Sequence, residues 1–164
     1  MRILTSPQIE QKTIRLAHQI LEHNYDAKKI IFLGINNNGY QFGKRLVSKL
    51  QKITDKEIIL ARVKLNPAKP MSKEISIDLE MTELKNQNII LVDDVANTGR
   101  TLFYACKPLM EVLTKKIEVA VLVDRKHKSF PIKVDYVGLS LATTMQEHID
   151  VNLKTIKDQE VLLN

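Results

Sequence analysis

Residues 89–101 read IILVDDVANTGRT. With Asn88, the run to Val92 is continuous and apolar, as expected of a strand covered on both faces in a parallel sheet. Two adjacent carboxylates, Asp93 and Asp94, follow it at once. Ala96–Thr101 then forms a polar turn, and a helix is expected from Arg100. Two neighbouring carboxylates repel each other and cost stability, so their retention asks for something cationic or polyhydroxylated between them. Backbone N–H groups at a helix start are unpaired and electropositive. Gly99 lets the backbone approach a ligand, and Thr98 and Thr101 add hydroxyls. The turn therefore reads as a cup for one phosphate. It is not a Walker A loop, because the GxxxxGK[ST] spacing is absent.

The bland alternative is a capped strand end, since Asp and Thr often start helices. That suffices for either aspartate alone. The whole string fits a ribose 5-phosphate better, with the carboxylates on the ribose hydroxyls and the turn on the phosphate. Magnesium bound with such a ligand would ease the paired negative charge.

Outward from this centre, strands and helices alternate. A helix is expected over Pro7–His23, capped by Ser6, with Ile9, Leu16, Ala17, Ile20 and Leu21 inside. Lys29–Gly34 is a short buried strand, and Tyr40–Gln51 a second helix. Glu57–Val63 is a strand, Leu65–Lys73 a proline-bearing loop, and Ile75–Leu79 a half-exposed strand. A helix over Arg100–Leu113 is expected to kink at Pro108. Ile117–Val123 is another buried strand, and Val134–Leu153 reads as two short strands. The pattern predicts an α/β fold with a doubly wound, mainly parallel sheet, one domain over 1–164. Ligands in such sheets bind at the carboxyl ends of the strands, where GINNNG (34–39) and DDVANTGRT (93–101) both lie.

Bulk properties narrow the classes. The chain has 164 residues, 44% of them hydrophobic, which suits one well-filled core. No apolar run approaches the roughly 18 residues that span a bilayer, and the first residues lack a signal-peptide core. The single cysteine fits a reducing cytoplasm. One Cys and four scattered His cannot assemble a zinc site. The net charge of +6 admits polyanionic partners, nucleotides or RNA. The lysines are dispersed, however, and no aromatic-basic stripe marks a single-strand stacking platform.

VDDVANTGRT closely resembles the phosphoribosyl diphosphate (PRPP) signature of the type I phosphoribosyltransferases. GINNNGYQFGKRL resembles the pyrophosphate loop and helix of one branch of them, and VLVDRKHKSFPIKVDYVG is similar to that branch's VLVDRGHRELPIRADYVG. The branch is the bifunctional pyrimidine-operon attenuators with uracil phosphoribosyltransferase activity. The resemblance runs from about Ile30 to Val151, with a gap in the flexible loop. It implies the type I fold with a small hood, PRPP and a nucleobase as substrates, Mg2+ carried with PRPP rather than on a dedicated protein site, and a homodimer or higher homo-oligomer. It implies that Asp93 and Asp94 hold the ribose hydroxyls. Ala96, Asn97, Thr98, Gly99, Arg100 and Thr101 would hold the 5-phosphate, and Asp93, Asp94 and Arg100 would form the catalytic group. Asn36, Asn37, Asn38 and Gly39 would meet pyrophosphate, through a loop that in the family often has a non-proline cis peptide. Asp124, Arg125, Tyr136 and Val137 would contact the nucleobase, Tyr136 by stacking and Val137 through its backbone. The purine enzymes have a lysine where Asp124 stands, which disfavours a 6-oxopurine here. They also have an aspartate where Asn97 stands, and Asn97 cannot take a proton.

Two departures from the branch are visible. Asn37 and Asn38 replace a threonine-arginine pair, removing a cation that would face pyrophosphate. The flexible-loop region RVKLNPAKPMSK is shorter and lacks the branch's tyrosine-arginine-acid-acid stretch. A second reading therefore stays open: an RNA-binding regulator of pyrimidine genes that senses PRPP or a nucleotide, with little catalysis.

Overall fold

In a computed structural model covering residues 1–164, six strands form one sheet: β2 (Lys29–Ile35), β3 (Glu57–Lys64), β4 (Ser76–Ile77), β5 (Asn88–Ala96), β6 (Lys116–Arg125) and β7 (Tyr136–Leu141). Their order is β4-β3-β2-β5-β6-β7, parallel except for the short edge strand β4. Helices α1 (Ser6–His23) and α2 (Asn36–Gln51) cover one face, over Ile30, Phe32, Ile90, Val92 and Leu122. Helix α3 (Arg100–Ala105) and the 3-10 turn Pro108–Glu111 cover the other, over Ile31, Leu33, Ile89, Leu91 and Val121. Alternate residues of one apolar run thus feed two cores, which explains why the central strands read as unbroken hydrophobic stretches.

The connection from β2 through α2 leads to β3 on one side, while β5 lies on the other. The topological switch point falls between β2 and β5, where an α/β sheet opens a crevice for ligands. The register sets Gly34 beside Val92, so the segment leaving β2 emerges level with the paired aspartates.

Strands β1 (Arg2–Leu4), β8 (Ile149–Asn152) and β9 (Glu160–Leu163) make a separate antiparallel sheet, order β1-β9-β8, over the carboxyl end of the main sheet. This is the hood. β1 and β9 are short strands from the two ends of the chain, and the sequence reading did not find them.

Several boundaries differ from expectation. The first helix is capped by Thr5, whose N–H donates to Gln8 Oε1 at 2.9 Å, a capping arrangement. Ser6 instead donates to the Ile156 carbonyl of the hood. The second helix begins at Asn36, not Tyr40. β5 runs on through Asp93 and Asp94 to Ala96, so the acids belong to the strand. The third helix stops at Ala105. Pro108 has no N–H to continue the ladder, so it starts a 3-10 turn rather than kinking a longer helix. No helix is long and apolar enough to cross a membrane.

Tyr136 is 1% exposed and belongs to the core. Its hydroxyl donates to Glu118 at 2.9 Å and meets Asn24 Nδ2 at 3.4 Å. Burial, then the Glu118 carboxylate, pushes that hydroxyl's pKa up. Tyr136→Phe is expected to lower stability by about 1.5–3 kcal/mol, the range for losing a hydrogen bond to a charged partner; urea denaturation midpoints read it.

Candidate functional site

The two loops singled out in the sequence meet at the carboxyl end of the sheet and line one cleft with two lobes. The first lobe, about 510 Å³, is lined by Ala96, Asn97, Thr98, Gly99, Arg100 and Thr101 together with Pro67, Ser129 and Phe130. The second, about 580 Å³, is lined by Asn36, Asn37, Asn38, Asp93 and Asp94 on one side and by His148–Asn152 of the hood on the other. Asp93, Val95, Asn97, Thr101 and Pro67 line both.

The phosphate turn owes its shape to the chain around it. Gly99 has φ 85°, a left-handed conformation costly for any side chain. The Thr98 carbonyl accepts from the N–H groups of Ser129 and Phe130 at 2.9 and 3.2 Å, so a distant loop holds the cup open. With only six residues, α3 brings a small dipole; the cup rests mainly on its backbone N–H groups and the Thr98 and Thr101 hydroxyls. Arg100 lines the first lobe and donates from Nη2 to the Pro67 carbonyl at 2.6 Å. It ties the loop after β3 to the phosphate turn.

Asp93 and Asp94 carry no counter-cation: neither forms a salt bridge. Asp93 Oδ1 accepts the Asp94 N–H at 2.9 Å, and Asp94 Oδ1 accepts the Val95 N–H at 2.8 Å. Burial, then the charge of Asp94, holds the Asp93 carboxyl well above the usual carboxylate range. Two acids are thus held in one place with backbone and amide donors but no cation to offset their repulsion.

On the pyrophosphate side, all peptides are trans, so the implied cis bond is absent. The unusual residue is Asn36, at φ 51°, a conformation Asn tolerates better than other side chains with a Cβ. Its Oδ1 accepts the Leu65 N–H at 3.1 Å. Asn36–Gly39 form the first turn of a sixteen-residue helix, whose unpaired N–H groups favour an anion. Asn38, where the resemblance expects a cation, donates to Asp94 Oδ2 at 2.9 Å.

The four residues expected at the nucleobase do not line either lobe. Tyr136 pairs in register with Ala120, five residues before Arg125 ends β6. At about 3.3 Å per residue it lies about 16 Å short of the cleft end of the sheet, so it stacks on no ligand there. The Val137 carbonyl is taken by Arg15 Nη2 at 2.8 Å, as is that of Gly138; α1 thereby blunts the edge strand β7. Asp124 is paired with Lys128 at 2.5 Å, and Arg125 is committed to other protein groups. The sequence reading missed the hood wall His148–Asn152, which faces the aspartates and carries no side-chain motif to announce it.

With this geometry in place, comparison with known proteins is direct. Residues 1–155 match the phosphoribosyl transferase domain family, and the chain belongs to it. Within it, the chain is 34% identical to the "Bifunctional protein PyrR" of Clostridium beijerinckii, over 96% of this chain and 93% of that protein. It is 31% identical to the protein of the same name from Pediococcus pentosaceus, over 98% and 96%, and 33% to that from Deinococcus radiodurans, over 98% and 91%. Among solved structures, the hypoxanthine phosphoribosyltransferase of Trypanosoma cruzi shares the fold at TM-score 0.79, with 14% identity over 98% of this chain and 95% of that one. A hypoxanthine-guanine phosphoribosyltransferase of Bacillus anthracis does so at 0.76, with 16% identity over 99% and 96%.

Proposed function

We propose that the protein transfers the 5-phosphoribosyl group of PRPP to uracil, releasing pyrophosphate and forming UMP. The observation that carries this reading is the pair of unopposed carboxylates, Asp93 and Asp94, set between a phosphate-shaped turn and a helix start. The ribose diol would donate to the carboxylates, the 5-phosphate would occupy the turn Ala96–Thr101, and pyrophosphate would face Asn36–Gly39.

The bond from C1 to pyrophosphate breaks as a ring nitrogen of the base bonds to C1. Positive charge develops on the ribose, as in glycoside chemistry, and the two carboxylates stand near it. The Asn37 and Asn38 amides with the α2 N–H groups would receive the leaving group's negative charge. Magnesium bound with PRPP would neutralise part of that charge. No third Asp, Glu, His or Cys joins Asp93 and Asp94 in a metal cluster, so the ion would share its ligands with PRPP oxygens. Their lack of any counter-cation is the feature that fits such an ion. Asn97 cannot act as a base, so catalysis rests on positioning and charge.

The base would lie against the hood wall. The choice of uracil rests on the similarity to the attenuator branch. The second function that "bifunctional" denotes in the relatives would be RNA binding here. A groove of about 460 Å³ between α2 and the hood favours it, since Lys44, Arg45, Lys49, Lys52 and Lys154 surround a single carboxylate, Glu10. A cytoplasmic homodimer or larger assembly belongs to the same reading.

The test is pyrophosphate release from Mg–PRPP with uracil, cytosine, hypoxanthine, guanine, xanthine and orotate supplied singly. Release with uracil alone is expected. Release with a purine alone would overturn the base assignment, and no release with any base would leave the RNA-binding regulator as the function.

A further inference from the structure

Arg125 ends β6 with each of its three guanidinium nitrogens on a different acceptor. Nη1 donates to Asn97 Oδ1 of the phosphate turn at 3.2 Å. Nε donates to Thr143 Oγ1 at 2.6 Å, and Nη2 to the Thr144 carbonyl at 2.7 Å. Thr143 is buried, and its carbonyl also lies 3.1 Å from the His127 ring nitrogen. The Thr144 N–H and hydroxyl both reach Glu147 Oε2, at 2.6 and 3.0 Å. That closes a turn whose next residue, His148, begins the hood wall of the cleft. One side chain therefore links the turn that would hold the 5-phosphate to the segment that carries the wall facing the aspartates.

The chemistry of the link is directional. A guanidinium only donates, so it holds the carbonyl oxygen of the Asn97 amide and leaves the amide NH2 as the group free to meet an anion. Asn97 lines both lobes of the cleft. An anion in the cup fixes that amide, the amide fixes the guanidinium, and the guanidinium fixes Thr143 and Thr144. Arg–amide and Arg–carbonyl bonds in a planar fork hold orientation as well as distance.

We infer that Arg125 is a positioning residue that couples occupancy of the phosphate cup to placement of the hood wall, so that a phosphoribosyl ligand raises affinity for the nucleobase. This rests on the phosphoribosyltransferase reading above and assigns one residue as the link between the two halves of that site. Coupling of this kind is reciprocal, so the base must tighten the phosphoribosyl ligand by the same factor.

Ribose 5-phosphate serves as probe, because it offers the phosphate and diol but no leaving group. Calorimetry of uracil binding with and without saturating ribose 5-phosphate gives the coupling factor. In the wild-type protein about fivefold or more is expected, the low end of usual allosteric couplings. In Arg125→Met the factor is expected to fall within about twofold of unity, while ribose 5-phosphate alone binds within about threefold of wild type. Arg125→Lys keeps the charge without the fork and is expected not to restore it. Thr143→Val removes only the hood-side acceptor and is expected to reduce the factor as well, which keeps the test open if Arg125→Met folds poorly. Tenfold weaker binding of ribose 5-phosphate alone, with the factor preserved, would make Arg125 a direct phosphate ligand and overturn the inference. A lower melting temperature with the factor preserved would make it merely structural, and overturns it too. A wild-type factor of one overturns the inference alone; wild-type protein that binds neither ribose 5-phosphate nor PRPP overturns the phosphoribosyl reading with it.

Discussion

Asp93→Asn will melt at a higher temperature than the wild-type protein at neutral pH and bind PRPP about 10- to 100-fold more weakly. The two effects have one origin. Asp93 is 9% exposed, next to a second acid, with no cation paired to either. Asparagine keeps the acceptor for the Asp94 N–H, which Asp93 now holds at 2.9 Å, and removes the like-charge repulsion. In the complex the balance reverses. A carboxylate accepting ribose hydroxyls is a charge-assisted acceptor, and losing one such bond costs about 1.5–3 kcal/mol, which sets the fold-change. Thermal melts of the free protein and calorimetry with Mg–PRPP measure the two halves. A lower melting temperature would contradict the electrostatic account of the pair, and unchanged affinity would remove Asp93 from the ribose site.

The same residue sets a pH dependence whose sign is defined. Burial, then Asp94, raises the native Asp93 pKa well above that of an ordinary aspartate. Between the unfolded and native values the native state binds more protons than the unfolded one. Stability therefore falls as pH rises through that window and levels off above the native pKa. Asp93→Asn abolishes this contribution to the slope. PRPP binding runs the other way, because ribose hydroxyls favour the ionised carboxylate. Affinity should rise with pH through the same window, with protons released on binding, and calorimetry in buffers of different ionisation enthalpy reads that release.

How much of this was legible in the sequence follows from the kind of information each feature carries. The central strand and its acids were legible because an unbroken apolar run must be covered on both faces, and adjacent charges at its end must face an opening. The phosphate turn was legible because Gly99 and two threonines constrain backbone and chemistry together. Asn36–Gly39 read as a loop because Asn and Gly are poor helix formers; packing of Gly39 against β5 overrides that preference. β1 and β9 were invisible because strands of three and four residues acquire meaning only when the two ends of the chain pair. Tyr136 was assigned to the base from a motif likeness, and a motif does not supply register. The pairing of Tyr136 with Ala120 places it in the core, while the hood wall that replaces it offered only a short polar-apolar alternation.

Gly39→Ala is expected to abolish detectable PRPP binding and to lower stability by about 1–3 kcal/mol, the range for overpacking a filled site. A Cβ at this position would lie 2.5 Å from the Val92 carbonyl oxygen, 3.2 Å from Asp93 Cα and 3.3 Å from Asp93 Oδ1. Two of these three neighbours are backbone atoms of the central strand, Val92 paired on both sides and Asp93 with Val121 of β6, so they cannot yield as a flexible side chain would. The first turn of α2 must move instead. That movement carries Asn38 away from Asp94 Oδ2, now 2.9 Å from its amide, and withdraws the helix N–H groups from the anion. The methyl group also presses on Asp93 itself, so ribose and pyrophosphate contacts fail together. Misplacements of about 1 Å can cost a hundredfold when geometry carries the catalysis. Calorimetry with Mg–PRPP and a denaturation curve distinguish the outcomes. Loss of stability with wild-type affinity would show that the asparagine turn is packing alone and that pyrophosphate is held elsewhere. Loss of binding in a variant that still unfolds cooperatively would place the leaving group against this turn, with Gly39 as the residue that lets the helix start close enough to the aspartates.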